Sequence, residues 1–140
     1  METIIRFMEE KQIILGTGAG GPTSVTLADR EALNVLPYRY IVPFVRIKTV
    51  SGYDTDGWYF TFRHAALLSY PEEANRFVNL TVTGLGAAGV GGGISTVGAY
   101  AGSVITDPGA LLAWKISQSA TTPSTVSNFI ADIYLVCRTG

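Results

Sequence analysis

The segment that most constrains the fold is the last apolar one, Ser127–Arg138, which reads SNFIADIYLVCR. Extended, it places Phe129, Ala131, Ile133, Leu135 and Cys137 on one face and Ile130, Asp132, Tyr134, Val136 and Arg138 on the other. The first face is apolar throughout and requires a covering layer. The second is mixed, as expected of a sheet face that is partly exposed or meets a partner.

Further period-two segments precede it. Gln12–Leu15 and Ser24–Ala28 are short strand signals, and Tyr38–Val50 is a longer one in which Tyr40, Val42 and Phe44 alternate with Ile41 and Val45. Pro43 lacks a ladder donor and marks an edge, a bulge or a strand break. Ser51–Gly57 is turn-forming by composition, and with the strand Trp58–His64 it predicts a hairpin. Arg76–Val82 and Leu111–Gln118 are strands, with weak strand signals at Ile94–Val97 and Ser103–Thr106. Helix signals are brief. Asp29 can cap a short helix ending before Pro37, and Pro71 with Glu72 and Glu73 suits a helical first turn. The expectation is an all-β antiparallel sandwich or jelly roll of about eight strands, with one or two short helical connections. At 140 residues it is one domain. Residues 1–21 are expected to form an N-terminal arm or strand with a glycine hinge, and 22–140 the β-domain.

Charge is scarce and uneven. Charged residues are 15% of the chain, the formal net charge is −1, and none lies between Phe77 and Thr106. Nucleic acid is therefore not an expected partner. A long neutral stretch on a small domain predicts that sister subunits cover part of the surface. Gly84–Ile105 is long enough to span a bilayer, but its glycine content and its Ser95, Thr96 and Ser103 favour β-structure and loop, so no membrane partner is expected. The single cysteine, Cys137, excludes an intrachain disulfide. The N-terminal residues show no secretion signal.

No motif predicts catalysis. Gly16, Gly18 and Gly21 spell the dinucleotide-binding pattern, but the β-branched PTSVTLA follows where that site needs a helix N-terminus. The glycines are read as a hinge. Asp54–Gly57 resembles half of a calcium loop without its remaining oxygen ligands. His64 is the only histidine and lacks the context of a catalytic triad. Neither an enzymatic activity nor a cofactor or metal is expected. The aromatic run Tyr53–Phe62 permits a second reading, a carbohydrate- or receptor-binding module of the tail-fibre-tip or lectin kind. Its site would be Tyr53, Asp54, Asp56, Trp58 and Tyr59.

The polar-to-apolar N-terminal segment, the uncharged Gly/Ala/Ser/Thr-rich middle and the long final strand NFIADIYLVCRTG resemble small jelly-roll-like virion proteins of tailed phages, of the capsid decoration (cement) type. The resemblance implies a trimer made in the host cytoplasm. It would sit on the capsid surface, bound to a major capsid or other virion protein. It also implies an assembly interface of Ile4, Ile5 and Phe7 in the N-terminal segment, Leu85, Val90, Ile94, Val97 and Tyr100 in the neutral stretch, and Ile130, Tyr134 and Val136 on the final strand.

Overall fold

A computed structural model describes residues 2–16, 23–26, 31–66, 77–120 and 125–140. The described residues form ten strands: β1 (Glu2–Leu15), β2 (Ser24–Thr26), β3 (Leu33–Asn34), β4 (Tyr40–Gly52), β5 (Trp58–Ala65), β6 (Val78–Leu80), β7 (Gly98–Ala101), β8 (Ile105–Thr106), β9 (Leu111–Gln118) and β10 (Ser127–Arg138). They pair antiparallel in two five-stranded sheets. The first has the order β1-β10-β4-β7, with β8 also on β4. The second has the order β2-β9-β5-β6, with β3 also on β9.

Two of these edges are interrupted strands. β2 and β3 pair with opposite ends of β9, and β8 and β7 with the start and the middle of β4. Counting each as one gives eight strands, ordered 1-8-3-6 in one sheet and 2-7-4-5 in the other, which is a jelly roll. Pro43 sits where β7 ends and β8 has not begun. Its carbonyl accepts from the Gly102 amide at 2.8 Å, on the side of that break. Backbone N and C=O of one strand residue point the same way, so the missing donor of Pro43 faces the interruption.

The core is the seam between the sheets. From β10 come Phe129, Ala131, Ile133, Leu135 and Cys137, all fully buried, as their alternation predicts. From β5 come Trp58, Phe60 and Phe62, and from β9 Leu112, Trp114 and Ile116. Trp58 stacks on Phe129 with ring centroids 3.8 Å apart and planes 6° apart, and Phe60 meets Phe129 edge-on at 6.4 Å. These rings join the sheets, each side chain contributing roughly 1.5–3 kcal/mol by burial.

The structure departs from the sequence reading in three places. β4 and β5 are not a hairpin. They lie in different sheets, and the 51–57 turn carries the chain across the sandwich. Asp54 is buried there; its carboxylate accepts from the Thr125 amide at 3.1 Å, and its own amide donates to Ser127 Oγ at 3.3 Å. Leu33–Asn34, placed in the first expected helix, pairs instead with Leu112 and Leu111. Strand β1 begins ten residues before Gln12, the start of the first clear strand signal, within the segment expected as an arm or a strand. Residues 27–30 and 70–76, from the two expected helices, and Gly18 and Gly21 lie outside the described residues.

The glycine-rich middle has a steric cause at Gly93. Trp58 and Ile94 exchange two backbone hydrogen bonds, of 3.0 and 2.7 Å, which draws this segment onto the 51–57 turn. A Cβ on Gly93 would collide with the Asp56 carbonyl oxygen and with Ser119 Oγ.

Candidate functional site

The outer face of the first sheet carries the most unusual surface. Burial of Ile41, Val45 and Ile47 turns Tyr40, Val42 and Phe44 outward on β4, and burial of Leu135 and Cys137 turns Tyr134, Val136 and Arg138 outward on β10. Register then builds three rows across three strands: Glu2–Arg138–Tyr40, Ile4–Val136–Val42 and Arg6–Tyr134–Phe44. The middle row is wholly apolar. Ile4 is 66% exposed, and Val104, beside the row, is 54% exposed. A hollow of about 400 Å³ lies among Tyr40, Val42, Val104, Val136 and Arg138. Large apolar side chains aligned on a solvent face mark a contact surface more than isolated ones do.

The rim is charged and internally paired. Glu2 and Arg138 meet at 2.9 Å, Arg6 and Glu9 at 2.6 Å, and Arg39 and Asp107 at 3.6 Å. The Arg6 guanidinium lies 5.8 Å from the Tyr134 ring centre and that of Arg39 5.7 Å from Tyr40. These ion pairs are more than half exposed, so they add little stability and are free to exchange partners.

Beyond Arg6 the face changes character. The β1–β10 register shifts between Arg6 and Met8 and again between Met8 and Lys11, and Glu10 takes a left-handed φ of 46°. Asp132, fully buried, holds this bulge. It accepts from the Glu10 amide at 2.6 Å and from the Tyr134 hydroxyl at 3.2 Å, and Lys48 Nζ lies 3.3 Å away. Burial alone would push the Asp132 carboxyl up. The Glu10 amide, Lys48 and Tyr134 outweigh it and hold the group below its ordinary value. Lys48 is held above its own, foremost by Glu10 at 2.9 Å.

The residues expected to form an assembly interface divide. Ile4, Tyr134 and Val136 come together in the rows above. Ile5 and Phe7 are half-buried against the core. Ile130 lies beyond the bulge, between Gln12 and Thr49. Val90 and Val97 are exposed, at 94% and 60%, away from the rows. Tyr100 is half-buried, its hydroxyl 2.7 Å from Thr96 Oγ1. Leu85 and Ile94 are core residues, at 0% and 6% exposure, and present nothing to a partner. Tyr40, Val42, Phe44 and Val104 belong to the surface and were not in the expected set.

The residues of the carbohydrate reading are likewise separated. Tyr53 is exposed, and Asp56 and Tyr59 are partly so. Trp58 is fully buried on Phe129, and Asp54 is committed to the 51–57 turn, so neither can meet a sugar. The reason is strand phase: Trp58 shares the inward face with Phe60 and Phe62. His64 Nδ1 is 3.0 Å from the Pro108 carbonyl, on the second sheet. Burial raises the Cys137 thiol to about 11.

No protein-family model and no curated protein matches the sequence. Among solved structures, the chain is similar to VP2 in the crystal structure of an infectious bursal disease virus subviral particle. The TM-score is 0.52 and the identity 13%, over 100% of this chain and 33% of that one. A structure of the Gx strain of the same virus aligns at a TM-score of 0.47 and 13% identity, over 100% of this chain and 32% of that one. The chain thus spans about a third of the length of the VP2 chain it matches. The likeness is one of fold.

Proposed function

We propose that this chain is a structural subunit of a virus particle, a decoration or cement protein that binds copies of itself and a shell protein through the outer face of its first sheet. The observation that carries the reading is the row Ile4–Val136–Val42, flanked by Phe44 and Val104, on the solvent side of a jelly roll. Water-facing positions on such a sheet are ordinarily polar. The fold likeness to VP2 of a subviral particle supports the reading, since that protein uses a similar sandwich within a particle. No catalytic step enters the mechanism. Burying apolar area at about 25 cal/mol per Å², over contacts of roughly 800 Å² per partner, would hold subunits at seams.

Sedimentation of the purified chain tests this. The 14.9 kDa subunit is expected to associate with rising concentration and to co-sediment with shells that lack it. A Val42→Glu/Val136→Glu variant, folded by circular dichroism, is expected to lose shell binding and to associate less with itself. A wild-type chain that stays monomeric at millimolar concentration and binds no shell refutes the reading.

A further inference from the structure

The first sheet ends in a strand unlike the other edges. β1 is fourteen residues long, and among the described residues no strand pairs with its outer side. The other edge strands, β2, β3, β6, β7 and β8, have two to four residues each. Short edges are a common protection against unwanted pairing, as are bulges and charged residues. The second half of β1 has such protection, in its bulge and in Glu9, Glu10 and Lys11. The first half has less: Glu2 and Arg6 are its only charges, and they are of opposite sign. Glu2–Arg6 pairs with β10 in unbroken register and contains no proline, glycine or lysine.

That half is self-complementary. Its sequence is Glu-Thr-Ile-Ile-Arg. Two copies paired antiparallel about Ile4 would set Glu2 against the partner's Arg6, Thr3 against the partner's Ile5, and Ile4 against the partner's Ile4. Opposite charges and β-branched pairs directly across an antiparallel ladder are favourable. Glu2, Ile4 and Arg6 all lie on the outer face. A two-fold axis normal to the sheet would therefore continue the row Val42–Val136–Ile4 into the same row of the second copy. The ion pairs now made by Glu2 and Arg6, with Arg138 and Glu9, are solvent-exposed and offer little resistance to re-pairing.

We propose that two copies of this chain join edge to edge through β1, residues 2–6, into one continuous sheet with an uninterrupted apolar stripe on its outer face. The pairing names a contact for the assembly reading above and rests on it. The contact is isologous, so each dimer holds two Glu2–Arg6 pairs.

Charge reversal tests the pairing. The proteins are wild type, Glu2→Arg, Arg6→Glu, the double swap Glu2→Arg/Arg6→Glu, and an equimolar mixture of the two single variants. Dissociation constants come from sedimentation velocity, with thermal melts to check folding. Each single variant places two like-charge pairs in its homodimer and is expected to weaken dimerisation by about tenfold or more. The double swap and the mixture restore opposite charges across the axis and are expected to recover it. A purely local role for Glu2 and Arg6 predicts no recovery. Single variants that dimerise like wild type, or a double swap and mixture that stay weak, would overturn the edge pairing. If Val42→Glu/Val136→Glu still abolishes shell binding in that case, the assembly reading stands without it. A wild type that is monomeric at millimolar concentration overturns both.

Discussion

Trp58 is the residue at which a ligand-binding reading and a packing reading diverge most. Its ring is fully buried and stacked on Phe129 across the seam, so Trp58→Ala removes one of the two largest core side chains and the ring stack that joins the sheets. Phe or Trp to Ala in a core costs about 3–5 kcal/mol, and a stacked pair adds roughly 0.5–1.5 kcal/mol beyond area burial. A loss of about 4 kcal/mol is expected. With unfolding entropy of about 2.1 cal/mol/K per residue, that lowers the midpoint of a chain this size by roughly 14 °C. Trp58→Phe separates packing from hydrogen bonding. Trp58 Nε1 has no partner among the described residues. Phenylalanine keeps the stack, leaves a void costing about 1 kcal/mol, and removes a buried N–H whose desolvation costs a similar amount. Its stability should fall within about 1 kcal/mol of wild type. Urea unfolding followed by fluorescence of the remaining Trp114, with an unchanged m-value, reads both variants. Equal losses for Trp58→Phe and Trp58→Ala would show that the indole N–H, not the stacked ring, carries the energy.

Asp132 links the β1 bulge to pH. Because its folded value is held below the ordinary 3.8, its stabilisation is complete above that range and is lost as pH falls through the folded value. Asp132→Asn should cost about 2 kcal/mol at neutral pH, and chemical denaturation curves of the two proteins should converge in acid; a constant gap down to pH 2 refutes this. Cys137, buried and raised to about 11, should not react with a thiol reagent at pH 8 until the chain unfolds. Fast labelling without denaturant would contradict its placement. Gly93→Ala should lower stability by about 3 kcal/mol or prevent folding, measured by thermal melting, because the Asp56 carbonyl occupies the space a Cβ needs.

Strand phase was legible wherever one face is unambiguous. The alternation of Ser127–Arg138 sets both the limits of β10 and its buried side, and Trp58, Phe60 and Phe62 do the same for β5. Sheet membership was not. A turn composition such as Ser51–Gly57 indicates reversal or redirection but not which sheet the next strand enters. That is decided by Asp54, Ser127 and Gln118, which lie far apart in sequence and meet only in the fold: Ser127 Oγ donates to Gln118 Oε1 at 2.9 Å and Gln118 Nε2 to the Leu15 carbonyl at 3.1 Å. Within the segment expected as an arm or a strand, the phase of β1 was illegible across Phe7–Lys11 for a different reason. Two register shifts within Arg6–Lys11 break the period of two, and an alternation test fails on a bulged strand that is nonetheless paired along its length.

The outer surface follows from one further step that hydropathy alone does not supply. Both faces of Tyr40–Val45 are apolar, so that half of the segment does not by itself say which side is core. Its partner does. β10 has only one apolar face, and the register sets Ile41 against Cys137 and Val45 against Ile133. Ile41 and Val45 must then turn inward, and Val42 and Phe44 outward. The neutral stretch from Phe77 to Thr106 needed the same test of partnership. Lack of charge has two physical causes: a surface that another subunit covers, or a segment that folds into its own core. Leu85 and Ile94 belong to the second cause, because the Phe60 amide bonds the Leu85 carbonyl at 2.9 Å and Trp58 bridges Ile94. Val90 and Val97 stay in water. One neutral run thus holds both core and exposed residues, and backbone pairing to β5 marks the core ones.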